Sequence, residues 1–170
     1  MQQAVYALAY HSRVGRNTKK RRAFSAWTSW RERDQLPGKQ WPGVYVIARS
    51  RVPMTGRRFS WCREIIYVGM TNSRTGLAGR LNQFDRTLAG GTGHGGAHRV
   101  RYRHPDFALL SPKLYVAAAA FPCDVNSNAP RDLLTMGAVA SFEYECWAAF
   151  VKRFGHLPQF NHKQASPKGE

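Results

Sequence analysis

Two tyrosines in apolar, β-prone runs begin a set of residues whose chemistry suits phosphodiester hydrolysis. They lie in the tripeptides Gly43-Val44-Tyr45 and Tyr67-Val68-Gly69. Further along the chain come Arg80, Glu143, Glu145 and Asn161. Hydrolysis of a phosphodiester requires a nucleophilic water, a group that moves its proton, and positive charge beside the phosphate. Tyrosine hydroxyls, a guanidinium and a carboxylate that binds a divalent cation can meet these requirements.

The order and spacing of these residues resemble the GIY-YIG nuclease family, over about residues 43 to 161. Members of that family have two tyrosine-bearing strands, an arginine on the next helix, a metal-binding glutamate and a terminal P-x-x-N. The resemblance implies that Tyr45 helps to activate water and that Tyr67 lines the same pocket. It implies that Arg80 stabilises the phosphate in the transition state. Asn161 would orient a phosphate or the glutamate through its amide, and a turn-forming role is the alternative.

Either of two glutamates on a long predicted helix could be the metal ligand. At about 100° per residue, Glu143 falls at the edge of the apolar stripe that contains Phe142 and Phe150. A carboxylate there is costly without a partner, which favours Glu143 as the ligand of Mg²⁺ or Mn²⁺. Glu145 lies on the other flank, but its shorter interval to Asn161 is closer to that of many family members. Both glutamates therefore stay candidates.

The chain departs from the commonest family pattern at Phe84, where many members have a histidine one turn after the helix arginine. The glycine-rich run 90–98 offers His94 and His98 as substitutes. Glycines let the backbone approach a phosphate closely, and a histidine there could shuttle a proton. We expect His98 to act, because it is nearer the ordered segment that follows. A flexible linker with solvated histidines is the alternative.

Three arginines alternate with other residues directly after this run. In an extended segment, Arg99, Arg101 and Arg103 would share one face, which suits a phosphate backbone or base edges. A solvated strand face is the alternative. Arg74, on the turn before the arginine helix, is expected to contact a phosphate.

The formal net charge is +16, from 26 Lys and Arg against 10 Asp and Glu, which implies a polyanionic partner. We expect this partner to be double-stranded DNA. The aromatic residues Phe24, Trp27 and Trp30 recur at a spacing of three, which predicts a short helix docked on the body. The residues expected to grip phosphates from this basic N-terminal extension are Lys19, Lys20, Arg21 and Arg22. A solvated, partly mobile arm is the alternative.

The elements that must position these residues predict an α/β (α+β) fold, with a small three-stranded mixed or antiparallel sheet flanked by helices. Residues 44–48 and 64–68 should form an antiparallel hairpin, and 114–121 a third strand. A long helix should begin near Pro130 and end at Gly155. The expected division is a basic arm at 1–40, a catalytic domain at 41–163 and a frayed tail at 164–170.

The three cysteines are widely spaced and form no C-x-x-C pair, which argues against a structural zinc site. Their odd number and the lack of an apolar leader point to a reducing interior, so we expect a cytoplasmic protein, and the family resemblance implies one encoded by a bacterium or a phage. No run approaches the length of a membrane span, so no membrane partner is expected.

The leading hypothesis is a metal-dependent DNA endonuclease that resembles the standalone type II restriction enzymes of the GIY-YIG family. Such an enzyme would cut both strands as a homodimer. A phage, mobile-element or repair nuclease belongs to the same class. The alternatives from other classes are a non-catalytic nucleic-acid-binding protein on a GIY-YIG-like core and a basic ribosomal-type protein.

Overall fold

A four-stranded antiparallel sheet forms the centre of the computed structural model, which describes residues 23–162. The strands lie in the order β1-β4-β2-β3. Valine, isoleucine and small apolar residues dominate the three long strands, which suits a sheet buried on both faces. The bounds are β1 Thr28–Ser29, β2 Gly43–Arg49, β3 Ile65–Thr71 and β4 Leu114–Ala120.

Helices cover both faces of this sheet. Two short 3₁₀ helices, Trp30–Gln35 and Ser111–Lys113, accompany the α-helices α1 Gly76–Leu88, α2 Gly95–Arg103, α3 Phe107–Leu110 and α4 Pro130–Phe154. Helices α1 and α2 bury apolar residues in one core, while α4 packs into a second core on the opposite face. The prediction for the end of α4 is confirmed, because Gly155 takes the left-handed conformation, with φ +82°, that stops a helix.

The predicted hairpin between the two tyrosine-bearing strands is confirmed. Strand β2 pairs antiparallel with β3, and Tyr45 lies opposite Gly69 while Ile47 lies opposite Tyr67. Because alternate residues of a strand share a face, Tyr45 and Tyr67 point into the same core, the one that α1 and α2 cover. The fold is therefore mixed α+β, as predicted.

The prediction of three strands and of an aromatic helix before them is wrong. Residues 28 and 29 form a fourth strand, which pairs with β4. Trp27 and Trp30 are buried in different cores, on opposite sides of the sheet. In an extended chain, residues an odd number apart point to opposite faces, so the same spacing of three serves a strand as well as a helix. The expected arm boundary at residue 40 therefore cuts through the folded domain.

The arginines after the glycine-rich run lie on a helix rather than in an extended segment, so they do not share one face. At about 100° per residue, Arg99 and Arg103 project from one side of α2, and Arg101 projects from the other. The helix begins at Gly95 after the His94 side chain caps it, which shows that part of the glycine-rich run is ordered structure. Among residues 23–162, no helix has the length and apolar character needed to cross a membrane.

Candidate active site

The two tyrosines meet at the centre of the β2–β3 hairpin, with ring centroids 6.0 Å apart. Tyr45 is completely buried, whereas Tyr67 keeps 8% of its surface exposed. Burial raises the pKa of Tyr45 well above its ordinary value, and the neighbouring Tyr67 adds to this. Burial also raises the pKa of Tyr67. Both hydroxyls are therefore protonated at neutral pH, and only Tyr67 reaches the surface.

Two glycines leave the room that these hydroxyls occupy. A Cβ atom added to Gly69 would lie 2.7 Å from the Tyr45 hydroxyl oxygen. A Cβ atom added to Gly96 would lie 2.5 Å from Cε2 of Tyr67 and 2.9 Å from its hydroxyl oxygen. Neither ring can shift easily in a packed core. Gly69 is the glycine of the second tripeptide. The contact between Gly96 and Tyr67 joins residues distant in the chain, so no local sequence pattern indicates it.

His94, not His98, is the histidine that contacts the tyrosine pair. Its Nε2 atom lies 2.8 Å from the hydroxyl oxygen of Tyr45, and the ring is 1% exposed. The ring also packs against Phe84, with centroids 4.7 Å apart. His98 is half-buried, and its Nδ1 atom lies 3.4 Å from an Arg101 nitrogen. His94, at the N-terminus of α2, thus packs beside Phe84, the residue that stands where the GIY-YIG pattern often has a histidine.

The hydrogen bonds of His94 determine its tautomer. The backbone N–H of Ala97 donates to Nδ1 at 3.3 Å, so Nδ1 carries no proton. Burial first, and the positive charge of Arg80 second, lower the pKa of His94 to about 3, and the ring is neutral. The single ring proton therefore lies on Nε2, which donates to the Tyr45 hydroxyl. His94 thus orients Tyr45 as a donor and cannot accept the proton of that hydroxyl.

Replacing His94 by Asn should change how stability depends on pH. Between the unfolded pKa near 6.5 and the folded pKa of about 3, the unfolded chain binds a proton at His94 and the native chain does not. This contribution to stability is complete above about pH 6.5 and is lost as pH falls through that window. Urea unfolding across this range should show a shallower decline for His94→Asn than for the wild type. Identical pH slopes would contradict a buried neutral ring.

Arg80 lies on α1 beside the tyrosine pair. One of its terminal nitrogens donates to Oε1 of Gln83 at 2.6 Å. Its Nε atom is buried without a hydrogen-bond partner. The positive charge of Arg80 opposes the upward shift in the pKa values of Tyr45 and Tyr67, which shows that the guanidinium is close to both. An unpaired buried N–H of a guanidinium is a favourable donor to an anionic oxygen, such as that of a phosphate.

Glu143 lies on α4, which packs on the other face of the sheet, within electrostatic range of Arg80 and the tyrosine pair. Burial raises the pKa of Glu143 to about 7, and the charge of Arg80 opposes the shift. The charge of Glu143 in turn raises the pKa values of Tyr45 and Tyr67. Within residues 23–162, the Glu143 carboxylate has no hydrogen bond and no ion-pair contact within 4 Å. A half-buried carboxylate without a partner is suited to a cation.

Glu145 lies away from this cluster. It is exposed, and its Oε1 atom accepts a hydrogen bond from the Ser141 hydroxyl at 3.3 Å, one turn earlier on α4. The geometry therefore favours Glu143 over Glu145 as the metal ligand. No group of three or more His, Cys, Asp or Glu residues forms a metal cage within the described part of the chain. A single carboxylate still fits Mg²⁺, which keeps several waters and completes its shell with substrate phosphates.

Asn161 acts as a clamp on β3. Its side-chain oxygen accepts from the backbone N–H of Val68 at 2.8 Å, and its side-chain nitrogen donates to the Val68 carbonyl at 2.7 Å. The neighbouring Phe160 N–H donates to the Ile66 carbonyl. These bonds pair the C-terminal segment with the otherwise open edge of β3. The β3 backbone engages both ends of the Asn161 amide, so this side chain has a structural role, and its expected contact with a phosphate or the glutamate stays a prediction.

Replacing Asn161 by Ala should destabilise the protein by roughly 2–6 kcal/mol, since it leaves two buried backbone groups at about 1–3 kcal/mol each without partners. Asn161→Asp should cost at least as much, because it buries a carboxylate and places an acceptor oxygen beside the Val68 carbonyl. Chemical denaturation measures both effects. The exposed Asn128, changed to Ala, is the matched control and should have little effect. A small loss in Asn161→Ala would contradict the clamp.

The remaining residues expected to contact DNA differ in their exposure and in their hydrogen-bond partners. Arg74 is exposed on the turn before α1. Arg99 donates to the Phe160 carbonyl through Nε and Nη2, at 3.0 and 2.8 Å. Arg101 donates to the carbonyls of Thr87, in the last turn of α1, and of Gly91, just beyond the helix. Arg103 is exposed. The candidates Lys19, Lys20, Arg21 and Arg22 and the tail at 164–170 lie outside the described residues.

Comparison of the chain with protein-family models, curated proteins and solved structures finds no match. The case for a function therefore rests on the cluster of Tyr45, Tyr67, His94, Arg80 and Glu143. In this cluster, Tyr45 and His94 form an enclosed inner layer. Tyr67, Arg80 and Glu143 each retain some exposed surface and form an outer layer.

Proposed function

We propose that this protein is a divalent-metal-dependent endonuclease that hydrolyses phosphodiester bonds in DNA. The observation that carries the proposal is the convergence of Tyr67, Arg80 and Glu143 from strand β3 and from helices α1 and α4. In this cluster, neither the Arg80 Nε atom nor the Glu143 carboxylate has a hydrogen-bond partner among the described residues. A phosphate and a cation would satisfy both groups at once.

The residues of the outer layer would handle the phosphate and the water. Arg80 donates to a non-bridging phosphate oxygen and stabilises the charge that develops on it in the transition state. The Tyr67 hydroxyl contacts the attacking water, accepts its proton and passes its own hydroxyl proton to solvent, which reaches Tyr67 at its exposed surface. Tyr45, which Nε2 of His94 holds in place, fixes the position of Tyr67 from behind. This order differs from the expected one, in which Tyr45 itself contacts water, because Tyr45 has no exposed surface.

Glu143 is the residue that would hold Mg²⁺ or Mn²⁺ through its carboxylate oxygens. A divalent cation supplies positive charge that stabilises the developing charge on a phosphate. Because the pKa of Glu143 is about 7, the carboxylate is partly protonated at neutral pH in the free protein, and cation binding would favour its ionised form. Cation affinity should therefore rise with pH.

The charge of the chain supports DNA as the substrate. A net charge of +16 favours a polyanion through counterion release, and the exposed Arg74 and Arg103 lie on the elements that flank the cluster. A type II restriction activity, with two copies cutting the two strands, is the finer proposal within this class. Each copy carries one cluster, so double-strand cleavage requires either a homodimer or two successive cuts.

Incubation with supercoiled plasmid tests the proposal directly. Conversion to nicked and linear DNA in Mg²⁺, and none in chelator, would support metal-dependent hydrolysis. Conversion of plasmid to linear form without a nicked intermediate would favour the homodimer. Binding to DNA without incision in either Mg²⁺ or Mn²⁺ would instead favour the alternative, a non-catalytic nucleic-acid-binding protein.

A further inference from the structure

An open groove lies between α2 and the C-terminal segment 159–162, with a volume of about 820 Å³. Its lining residues are His98, Arg99, Arg101, Tyr102, Arg103, Pro105, Gln159, Phe160 and His162. No acidic side chain of the described residues lines it. Three arginines on one groove attract an anion, and the length of the lined helix is enough to follow a chain of phosphates rather than a single one.

Tyr102 gives this groove a second chemical character. Its ring is 92% exposed, and it is the most exposed of the large hydrophobic side chains in the described residues. On α2 it neighbours Arg99, three residues earlier on the same helix face, while Arg103 lies about 100° further round the helix and lines the same groove. An exposed ring between arginines can stack on a base while the guanidinium groups hold the adjacent phosphates.

The groove is continuous with the active-site cluster. Gly96, in the first turn of α2, lies against Tyr67, and His98 and Arg99, two and three residues further on, line the groove. The positive charge of Arg99 opposes the rise in the pKa of Tyr67 and contributes to the lowered pKa of His94. Arg99 also donates to the Phe160 carbonyl, in the segment that pairs with β3. A DNA strand whose scissile phosphate lies at Tyr67 and Arg80 can therefore enter this groove directly.

The face of a base inside a duplex is covered by the neighbouring base pairs, so it cannot stack on a protein ring. A base can lie on Tyr102 only where the strand is single or where the nucleotide has left the helix. We propose that the groove binds the substrate strand next to the cleaved bond with an unpaired base stacked on Tyr102. The substrate class is thus DNA with unpaired nucleotides beside the cut, which rests on the proposed nuclease function and deepens it.

Binding measured without divalent metal tests this inference apart from catalysis. The probes are a fluorescent thymidine oligonucleotide that carries one 2-aminopurine, and a blunt duplex of two complementary strands with the same total number of phosphates. Tyr102→Leu should weaken binding to the single strand by about 5- to 150-fold, the range expected for one stacked base. Tyr102→Phe keeps the ring and should bind as the wild type does. Neither change should affect binding to the blunt duplex.

Two further measurements make the result decisive. Stacking on Tyr102 quenches 2-aminopurine fluorescence in the wild type and in Tyr102→Phe, and Tyr102→Leu should lose the quenching. The exposed tyrosine of α4, Tyr144, is the matched control, and Tyr144→Leu should leave single-strand affinity unchanged. Arg103→Ala should weaken both probes and reduce the salt dependence, as a phosphate contact does.

Equal losses of affinity on both probes in Tyr102→Leu, or no loss on either, would overturn the inference. The former result would make the groove a general backbone contact, and the latter would remove Tyr102 from the interface. Because these experiments contain no metal, a protein that fails to cut plasmid can still confirm the groove. Conversely, a protein that cuts plasmid in Mg²⁺ without a Tyr102 effect would retain the nuclease proposal and lose this one.

Discussion

Replacing Glu143 by Gln should abolish plasmid incision in Mg²⁺ while the protein stays folded. Glutamine has nearly the same size and shape, so the packing of α4 beside the sheet should survive. It lacks the negative charge that a hard cation requires of its ligand. DNA affinity should remain or improve, because a negative charge near the phosphates has gone. Gel assays of plasmid, with melting curves for both proteins, measure the effect.

Glu145→Gln is the matched control for this change. Glu145 lies two residues away on the same helix, is exposed and contacts only Ser141 by hydrogen bond in the described structure. We expect this variant to keep its incision rate. Mg²⁺ should raise the melting temperature of the wild type and of Glu145→Gln, and it should have no effect on Glu143→Gln, since a ligand stabilises only the state that binds it. Normal incision by Glu143→Gln would refute the assignment of the metal ligand.

Replacing Tyr67 by Phe should lower the incision rate by roughly 10² to 10⁴, the usual worth of general acid–base catalysis. The change removes one hydroxyl and keeps the ring that packs between Phe84 and Tyr45. The fold should therefore remain, as thermal melting would show. Single-turnover assays at saturating DNA would separate the chemical step from binding.

Tyr45→Phe is the comparison that tests the two-layer arrangement. It also removes one hydroxyl, but Tyr45 has no exposed surface and bonds to His94. If Tyr45 only holds Tyr67 in position, Tyr45→Phe should cost less than Tyr67→Phe. A larger loss in Tyr45→Phe would show that the site opens when DNA binds and that Tyr45 contacts the water directly. Full activity in both folded variants would refute the proposed role of the tyrosine pair.

Local patterns in the sequence were enough to predict the elements that position the site. The β-prone runs around Tyr45 and Tyr67 predicted the antiparallel hairpin, and the start and stop residues Pro130 and Gly155 predicted α4. These predictions succeeded because strand alternation and helix start and stop signals are properties of neighbouring residues. The same local patterns failed for Trp27 and Trp30, because a spacing of three is compatible with a helix and with a strand buried on both faces.

The tertiary structure alone decided which side chains of each candidate group meet. It selected His94 over His98, because α2 starts at Gly95 and its first turn points the capping histidine at Tyr45. It brought Glu143 from α4 within the electrostatic reach of Arg80 and left Glu145 in solvent. No local pattern records such contacts, which depend on how helices on opposite faces of the sheet approach one edge.

The sequence by itself determined the kinds of groups available: tyrosines on paired strands, a helix arginine, helix glutamates and a large basic excess. The tertiary structure decided their roles. In the folded chain, Tyr45 has no exposed surface and the Asn161 amide is hydrogen-bonded to the Val68 backbone. The arginines of α2 line a groove. The physical reason is that residue type sets what a group can do, while burial and neighbours set its protonation, its partners and its access to a substrate.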